Sequence, residues 1–301
     1  MADITPPTVT NNDDNSSADI TNLDHTPGNA TVFDGTDGND ILTRGHGDNV
    51  IDGGCGTDTV IYTAALSNFT LTRGLNGYSV RANGGTDGTD TVTNVESLKF
   101  SDMTVNLTVH EKAATVASAD VTSIEELYVA FFNRIPDADG LSYWIYQLKD
   151  GQTINQIAES FYSAGVQNPS LTGYSSTMSN DDFVNVLYKN VLGRTSGAEA
   201  EGLAYWSNAL ADGSCSRGSL VTSILSSAHT FKGNAAWGWV ADLLDNKIAV
   251  ADKFAVTWGL NYNSSDDSIT NGMSIAAAVT PTDTAAAITL IGISDGQINL
   301  G

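Results

Sequence analysis

The chain has 301 residues and carries 35 acidic side chains against 13 Lys and Arg, a formal net charge of −22. That excess argues against nucleic acid, whose phosphates need a basic footprint, and against anionic membrane surfaces. An apolar content of 41% is nevertheless enough to build cores, so the acidity does not mark a wholly disordered chain.

The length predicts two or more domains. Excess carboxylate repels itself unless a cation neutralises it, and Ca2+ is the cation that prefers clustered carboxylate and carbonyl oxygen. Two cysteines, Cys55 and Cys215, cannot make a disulfide framework. The N-terminal MADITPPTVTNNDDNSS lacks the basic patch and apolar core of a Sec-type leader. No apolar run approaches the ~20 residues that span a bilayer, so no membrane insertion is expected.

Residues 1–30 are rich in Thr, Asn, Asp and Ser and read as a flexible tail, or as an extended arm that pairs with something else. From residue 35 glycine and aspartate recur in three ungapped nonapeptides: GTDGNDILT from Gly35, RGHGDNVID from Arg44 and GGCGTDTVI from Gly53. Their template is G-G-x-G-x-D-x-U-x, with U a large apolar residue. The glycines permit tight turns that aim carbonyls inward, and the U residues Leu42, Ile51 and Val60 point into a thin core between two sheets. Each nonapeptide makes half a coil, so Asp40 and Asp58, eighteen residues apart, share one edge while Asn49 faces the other. The best single Ca2+ site is therefore expected between the Asp40 and Asp58 turns, completed by carbonyls near Thr36, Gly38, Gly53 and Cys55. Weaker sites are expected at the Gly45, Gly47 and Asn49 turn.

TDTVIY, NFTLTR, GYSVRA, TDTVT, SLKF and MTVNL then read as strands, with a hairpin turn at Leu75-Asn76-Gly77. GTDGTDTV from Gly85 nearly repeats GTDGNDIL, so Asp87 and Asp90 either carry a further Ca2+ or form a solvated turn. Residues 31–108 are expected as one β domain and 109–122 as a linker.

A helical domain is expected over 123–260, in two repeats at 123–168 and 179–260. Its first helix is read behind Ser123, with Glu126 as the partner in a capping box. Arg134 matches Arg194, Gly140-Leu141-Ser142-Tyr143-Trp144 matches Gly202-Leu203-Ala204-Tyr205-Trp206, and Gly151 matches Gly213. The aromatics read as packing anchors and the arginines as helix C-terminal cations. Asp137 or Asp139 caps the next helix, or the two hold Ca2+ with the Ala138 carbonyl. Residues 261–301 are expected as a C-terminal helical segment.

The nonapeptides resemble the RTX family of type I-secreted proteins, whose repeats form a calcium-bound parallel β-roll, and the strands after them resemble a β-rich segment that caps such rolls. Both helical repeats are similar to a domain of unknown function of secreted bacterial proteins, with the signature L-Y-x-x-x-L-G-R-x-P-D-x-x-G-L-x-Y-W. FFNRIPDADGLSYW keeps its Arg-x-Pro-Asp part and LYKNVLGRTSGAEAEGLAYW its Leu-Gly-Arg part. Together these resemblances imply a multidomain α and β chain: a short calcium-binding parallel β-roll with an antiparallel β cap, then an all-α domain of two related repeats. They also imply export by type I machinery that reads a C-terminal segment, here within 282–301.

Catalytic motifs are fragmentary. His110-Glu111 lacks a second histidine ligand, and Gly292-Ile293-Ser294-Asp295-Gly296 has no downstream histidine. The expectation is therefore a non-enzymatic, secreted calcium-binding structural protein of a bacterial cell surface that self-associates with Ca2+. The alternative is a calcium-dependent adhesin that binds surface polysaccharide.

Overall fold

The computed structural model describes residues 8–10, 19–21, 31–85 and 87–301. They fall into two compact units: Met1–His110, Val256–Ser265 and Gly292–Gly301 in one, Glu111–Ala255 and Asp266–Ile291 in the other.

The first unit is built from short strands. In chain order they are β1 (Thr8–Thr10), β2 (Asp19–Thr21), β3 (Val32–Asp34), β4 (Ile41–Thr43), β5 (Val50–Asp52), β6 (Thr59–Ile61), β7 (Phe69–Arg73), β8 (Tyr78–Ala82), β9 (Thr89–Thr93), β10 (Ser97–Lys99) and β11 (Met103–Asn106). Two more, β12 (Leu260–Tyr262) and β13 (Ile298–Asn299), come from much later in the chain. One sheet has the order β1-β3-β5-β9-β8-β7-β13 and the other β12-β11-β10-β6-β4-β2.

From β1 to β6 successive strands alternate between the sheets, and in β3 to β6 strands eighteen residues apart lie side by side and parallel: Val32 beside Val50, and Ile41 beside Thr59. Turns of six residues join three-residue strands from β3 to β6 and leave one inward side chain per strand. Phe33, Leu42, Ile51 and Val60 fill that position and are fully buried, as the apolar template position requires.

The expected antiparallel cap is only partly antiparallel. Strands β9 and β10 continue the parallel ladders against β5 and β6, while the β7–β8 hairpin, which interrupts the chain between β6 and β9, stacks beyond β9 in its sheet. The arm at 1–30 lies outside the described residues except for β1 and β2, which extend the two sheets in parallel.

The second unit is helical. After α1 (Val109–Ala113) come α2 (Ser118–Phe132), α3 (Ala138–Lys149), α4 (Ile154–Gln167), α5 (Pro169–Thr172), α6 (Asn180–Leu192), α7 (Ala200–Ala211), α8 (Arg217–His229), α9 (Gly238–Asp252), α10 (Ser265–Ala278) and α11 (Ala285–Ile291). Helix α2 packs on α4, α6 and α9, and α4 lies along α8. Their shared core includes Ile124, Leu127, Phe131, Phe161, Phe183 and Leu220.

Three expected boundaries move. Residues 109–122 are not a linker, since α1 and the start of α2 lie there. Ser123 sits inside α2 and bonds back to the Ala119 carbonyl, because the buried face of the helix already begins at Val121. Capping boxes do occur, at Thr153 with Gln156 and at Ser216 with Ser219. Finally, the segment 261–301 is helical only at α10 and α11. Its flanks form β12, against β11, and β13, against β7, where they cover open sheet edges. Among the described residues no helix is long and apolar enough to cross a membrane.

Candidate metal centre

The parallel register lines up the turn residues that precede the strands. On one edge Asp40, Asp58 and Glu96 stand side by side, ahead of the paired strands β4, β6 and β10. On the other, Thr31, Asn49 and Asp90 do the same ahead of β3, β5 and β9. In each ladder a side-chain oxygen of one coil accepts the backbone N–H of the coil before it.

The first edge is rich in carboxylate. Asp40 closes its own turn, accepting from the Thr36 amide at 2.6 Å and from the Thr36 hydroxyl. The Thr36 hydroxyl in turn accepts from the Gly38 amide. Asp58 Oδ1 accepts from the Asp40 amide at 2.8 Å, and Glu96 Oε2 accepts from the Asp58 amide at 2.7 Å. Asp58 is 0% exposed, yet its Oδ2 has no hydrogen-bond partner. Burial pushes the Asp58 carboxyl up to about 6, with the neighbouring charges of Glu96, Asp40 and Asp52 adding to the effect and the Asp40 amide opposing it.

Gly53 shows why glycine is required here. A Cβ on it would overlap the Asn94 carbonyl oxygen and stand 2.6 Å from Asp58 Oδ2. The Thr36 carbonyl accepts from the Cys55 amide and links the two turns; Cys55 itself is exposed and its thiol is free.

The donors at this edge are carboxylate and carbonyl oxygens with one orphaned, buried carboxylate oxygen. That chemistry fits a hard cation such as Ca2+ and not one that prefers nitrogen or sulfur. Among the described residues no group of three or more His, Cys, Asp or Glu side chains is arranged to hold a metal. An ion here would therefore depend on backbone oxygens as well as on Asp40 and Asp58.

The second edge is closed differently. Asn49 Oδ1 accepts from the Thr31 amide, while the Asn49 side-chain amide donates to Asp90 Oδ1 at 2.7 Å and to the Gly47 and Gly45 carbonyls. Asp90 also accepts from the Asn49 backbone amide. Burial raises the Asp90 carboxyl to about 6 against the opposing pull of Arg44 and Asn49. At Asp87 and Asp90, read from the sequence as ligands of a further ion, the structure places the Arg44 guanidinium. Its Nε lies 3.4 Å from Asp90 Oδ2 and its Nη2 3.5 Å from Asp87 Oδ2. His46 meets the other Asp87 oxygen.

In the helical unit, Asp137 occupies the N-cap position of α3 without making the capping bond. Its carboxylate instead meets Arg134 and the Ser268 hydroxyl. Asp139 lies in the first turn of α3. The stretch Ala138–Gly140 is thus helical rather than a calcium loop.

The two repeats reproduce one constellation. Arg134 lies over the Tyr128 ring and Arg194 over the Tyr188 ring. Tyr128 bonds to Trp144 and Tyr188 to Trp206. A Cβ at Gly140 or Gly202 would press on those tyrosine hydroxyls, at 2.5 and 2.8 Å. The tryptophans, read from the sequence as packing anchors, are only half-buried, and α7, which carries Trp206, has no fully buried residue. Tyr143 and Tyr205, read with them as anchors, point outward and are 55% and 66% exposed.

Sequence reasoning missed Glu96 and Arg44. The signal for Glu96 is the strand SLKF directly after it; for Arg44 it is the one basic residue at a glycine position of the template.

Residues 163–233 match the family model described as "Domain of unknown function (DUF4214)". The match runs from within α4 to just beyond α8 and includes the second copy of the Tyr, Arg, Gly and Trp constellation. No curated protein matches the chain.

Proposed function

We propose that this chain is a secreted, non-enzymatic structural protein of a bacterial cell surface, with a calcium roll that binds Ca2+ at the Asp40–Asp58 edge. The observation that carries this reading is the buried Asp58 Oδ2, which lacks a hydrogen-bond partner in a cradle of carboxylate and carbonyl oxygens. A cation there would neutralise the Asp40 and Asp58 carboxylates and draw the raised Asp58 carboxyl back to its charged form. Extracellular modules of this kind bind with Kd of about 10⁻⁴ to 10⁻³ M, which leaves the edge unclosed where Ca2+ is scarce and closes it outside the cell.

Assembly follows from the same electrostatics. Two copies at −22 repel, and shared Ca2+ removes that barrier while bridging carboxylates of neighbours. The exposed Tyr143, Tyr146 and Tyr205 favour the second reading, an adhesin that holds surface polysaccharide on aromatic faces. Export by type I machinery is part of the proposal. Deleting 282–301 would also remove β13, so the signal is best tested by fusing that segment to a carrier.

The deciding experiment is a calcium titration of the full chain by calorimetry and light scattering, with melting in chelator alongside. The expected result is binding, a higher melting midpoint and polymers in millimolar Ca2+, with Asp58→Ala losing most of the affinity. Identical melts with and without Ca2+ would overturn the calcium reading. A chain that binds Ca2+ yet stays monomeric would favour the adhesin.

A further inference from the structure

The second nonapeptide departs from its template at Arg44, where the first glycine belongs. The departure is not a defect of the turn, because the guanidinium is fully engaged. Nη1 donates to the Gly45 carbonyl at 2.8 Å and to the Asp87 carbonyl at 3.2 Å, and Nε and Nη2 face the Asp90 and Asp87 carboxylates. The arginine side chain is only 6% exposed, and its planar head lies over the rings of Tyr62 at 4.9 Å and Phe69 at 5.4 Å. Two carbonyls and two carboxylates from two stacked turns thus converge on a single positive charge. Such an all-oxygen set is what a hard divalent cation takes.

We propose that Arg44 is a resident cation that replaces a metal ion on this edge, and that it masks a latent divalent-cation site formed by Asp87, Asp90 and the Gly45 and Asp87 carbonyls. This rests on the proposed function only in treating the turns of the coil as cation-holding. It does not require an ion at Asp40 and Asp58. Its consequence is one-sided regulation. The edge that carries Asn49 and Asp90 is closed by a charge covalently attached to the chain and stays closed in calcium-free surroundings. Only the edge that carries Asp40, Asp58 and Glu96 responds to calcium. A guanidinium suits the role because it stays protonated at any physiological pH and presents several donors in one plane, which an ammonium does not.

The test uses the full-length chain and two variants, Arg44→Ala and Arg44→Lys. In chelator, Arg44→Ala should melt roughly 5–10 °C below the parent, as expected when one partner of a buried charge cluster is removed. In millimolar Ca2+ it should bind one more ion per chain than the parent and recover most of that loss. Tb3+ bound to this variant should show luminescence sensitised by excitation of the adjacent Tyr62 that exceeds the parent's. Arg44→Lys keeps a positive charge and should gain no ion. Hydrogen exchange of the parent in chelator should leave the Asn49 and Thr89 amides protected while the Asp40 and Asp58 amides exchange faster. Failure of Arg44→Ala to bind an additional ion, or destabilisation that Ca2+ does not reverse, would overturn the proposal. A parent that binds no Ca2+ while Arg44→Ala binds one would overturn the proposed function and leave this inference standing.

Discussion

The two edges of the strand coil share one backbone plan and differ in what closes them. On one, Asp40, Asp58 and Glu96 place three carboxylates in register, and Asp58 buries an oxygen with no donor. On the other, Thr31, Asn49 and Asp90 place one carboxylate in register, and Arg44 supplies the opposing charge. The same hydrogen-bond step, side-chain oxygen to the amide of the preceding coil, runs along both. The backbone therefore does not decide whether an edge needs an external cation; the side chains at a few turn positions do. A repeat can keep its register after losing its template residue, provided that the charge balance is restored from within the chain.

The largest effect expected from breaking this contrast is steric. Gly53→Ala forces a methyl onto the Asn94 carbonyl oxygen and toward Asp58 Oδ2, while the same change at Gly84, near the second edge, meets nothing within 4 Å. Gly53→Ala should cost about 3 kcal/mol, the upper part of the range for overpacking, and should abolish Ca2+ binding at the first edge. Gly84→Ala should leave the unfolding curve where it is. Denaturant titration of both variants measures the difference, and equal midpoints would show that close approach at Gly53 does not hold the first edge together.

The second effect is pH dependence. Asp58 and Asp90 both have carboxyl groups raised from 3.8 to about 6 in the folded chain. The folded state therefore holds their protons more tightly than the unfolded state does. The stability they confer is fully present below 3.8 and is lost as pH rises through about 6. In chelator the β unit should thus become less stable between about pH 4 and pH 6 from these groups, and Asp58→Asn should flatten that slope. Added Ca2+ should stabilise the chain more at pH 7 than at pH 5, where protons compete for Asp58. The fall contributed by Asp90 should persist in Ca2+, because its partner is Arg44. Melting across a pH series with and without Ca2+ checks the sign for both edges.

Much of this contrast is legible in the sequence where spacing is local. The nine-residue period correctly places Leu42, Ile51 and Val60 in the core and Asp40 beside Asp58. It stops being legible where the period is interrupted. The hairpin from Phe69 to Ala82 turns an eighteen-residue step into one of 41 between Val50 and Thr91, and of 38 between Thr59 and Ser97. Asp90 and Glu96 thus join their ladders out of phase with any local count. The strands Leu260–Tyr262 and Ile298–Asn299 are too short to be told from loops, and only their distant partners define them. Helix α2 shows a different failure. Ser123 and Glu126 match a start signal, but the apolar face reaches back to Val121 and carries the helix with it, so tertiary burial overrides the local cue. In the helical repeats the spacing aligns Trp144 with Trp206, and each bonds to a tyrosine of its own repeat. The spacing does not show that their neighbours Tyr143 and Tyr205 face outward.

The smallest expected effect concerns Asp48, at a variable position of the second repeat. Its Oδ1 accepts from the Thr89 amide at 2.7 Å across the second edge, so the residue ties the start of β9, the strand after the hairpin, to the coil beside it. The side chain is exposed, and water can take over the Thr89 amide once the carboxylate is gone. The loss is then the net worth of one hydrogen bond rather than the cost of a buried orphan, about 1 kcal/mol. Asp48→Ala should lower the unfolding free energy by that amount in chelator and in Ca2+ alike, because Asp48 stands on the edge that Arg44 already neutralises. Calcium affinity should stay at the parent value, in contrast to the large loss expected for Asp58→Ala. Paired titrations of the two variants measure how sharply the edges are separated. A drop in affinity for Asp48→Ala comparable to that for Asp58→Ala would mean that the two edges share one ion-dependent transition and that the division drawn between them does not hold.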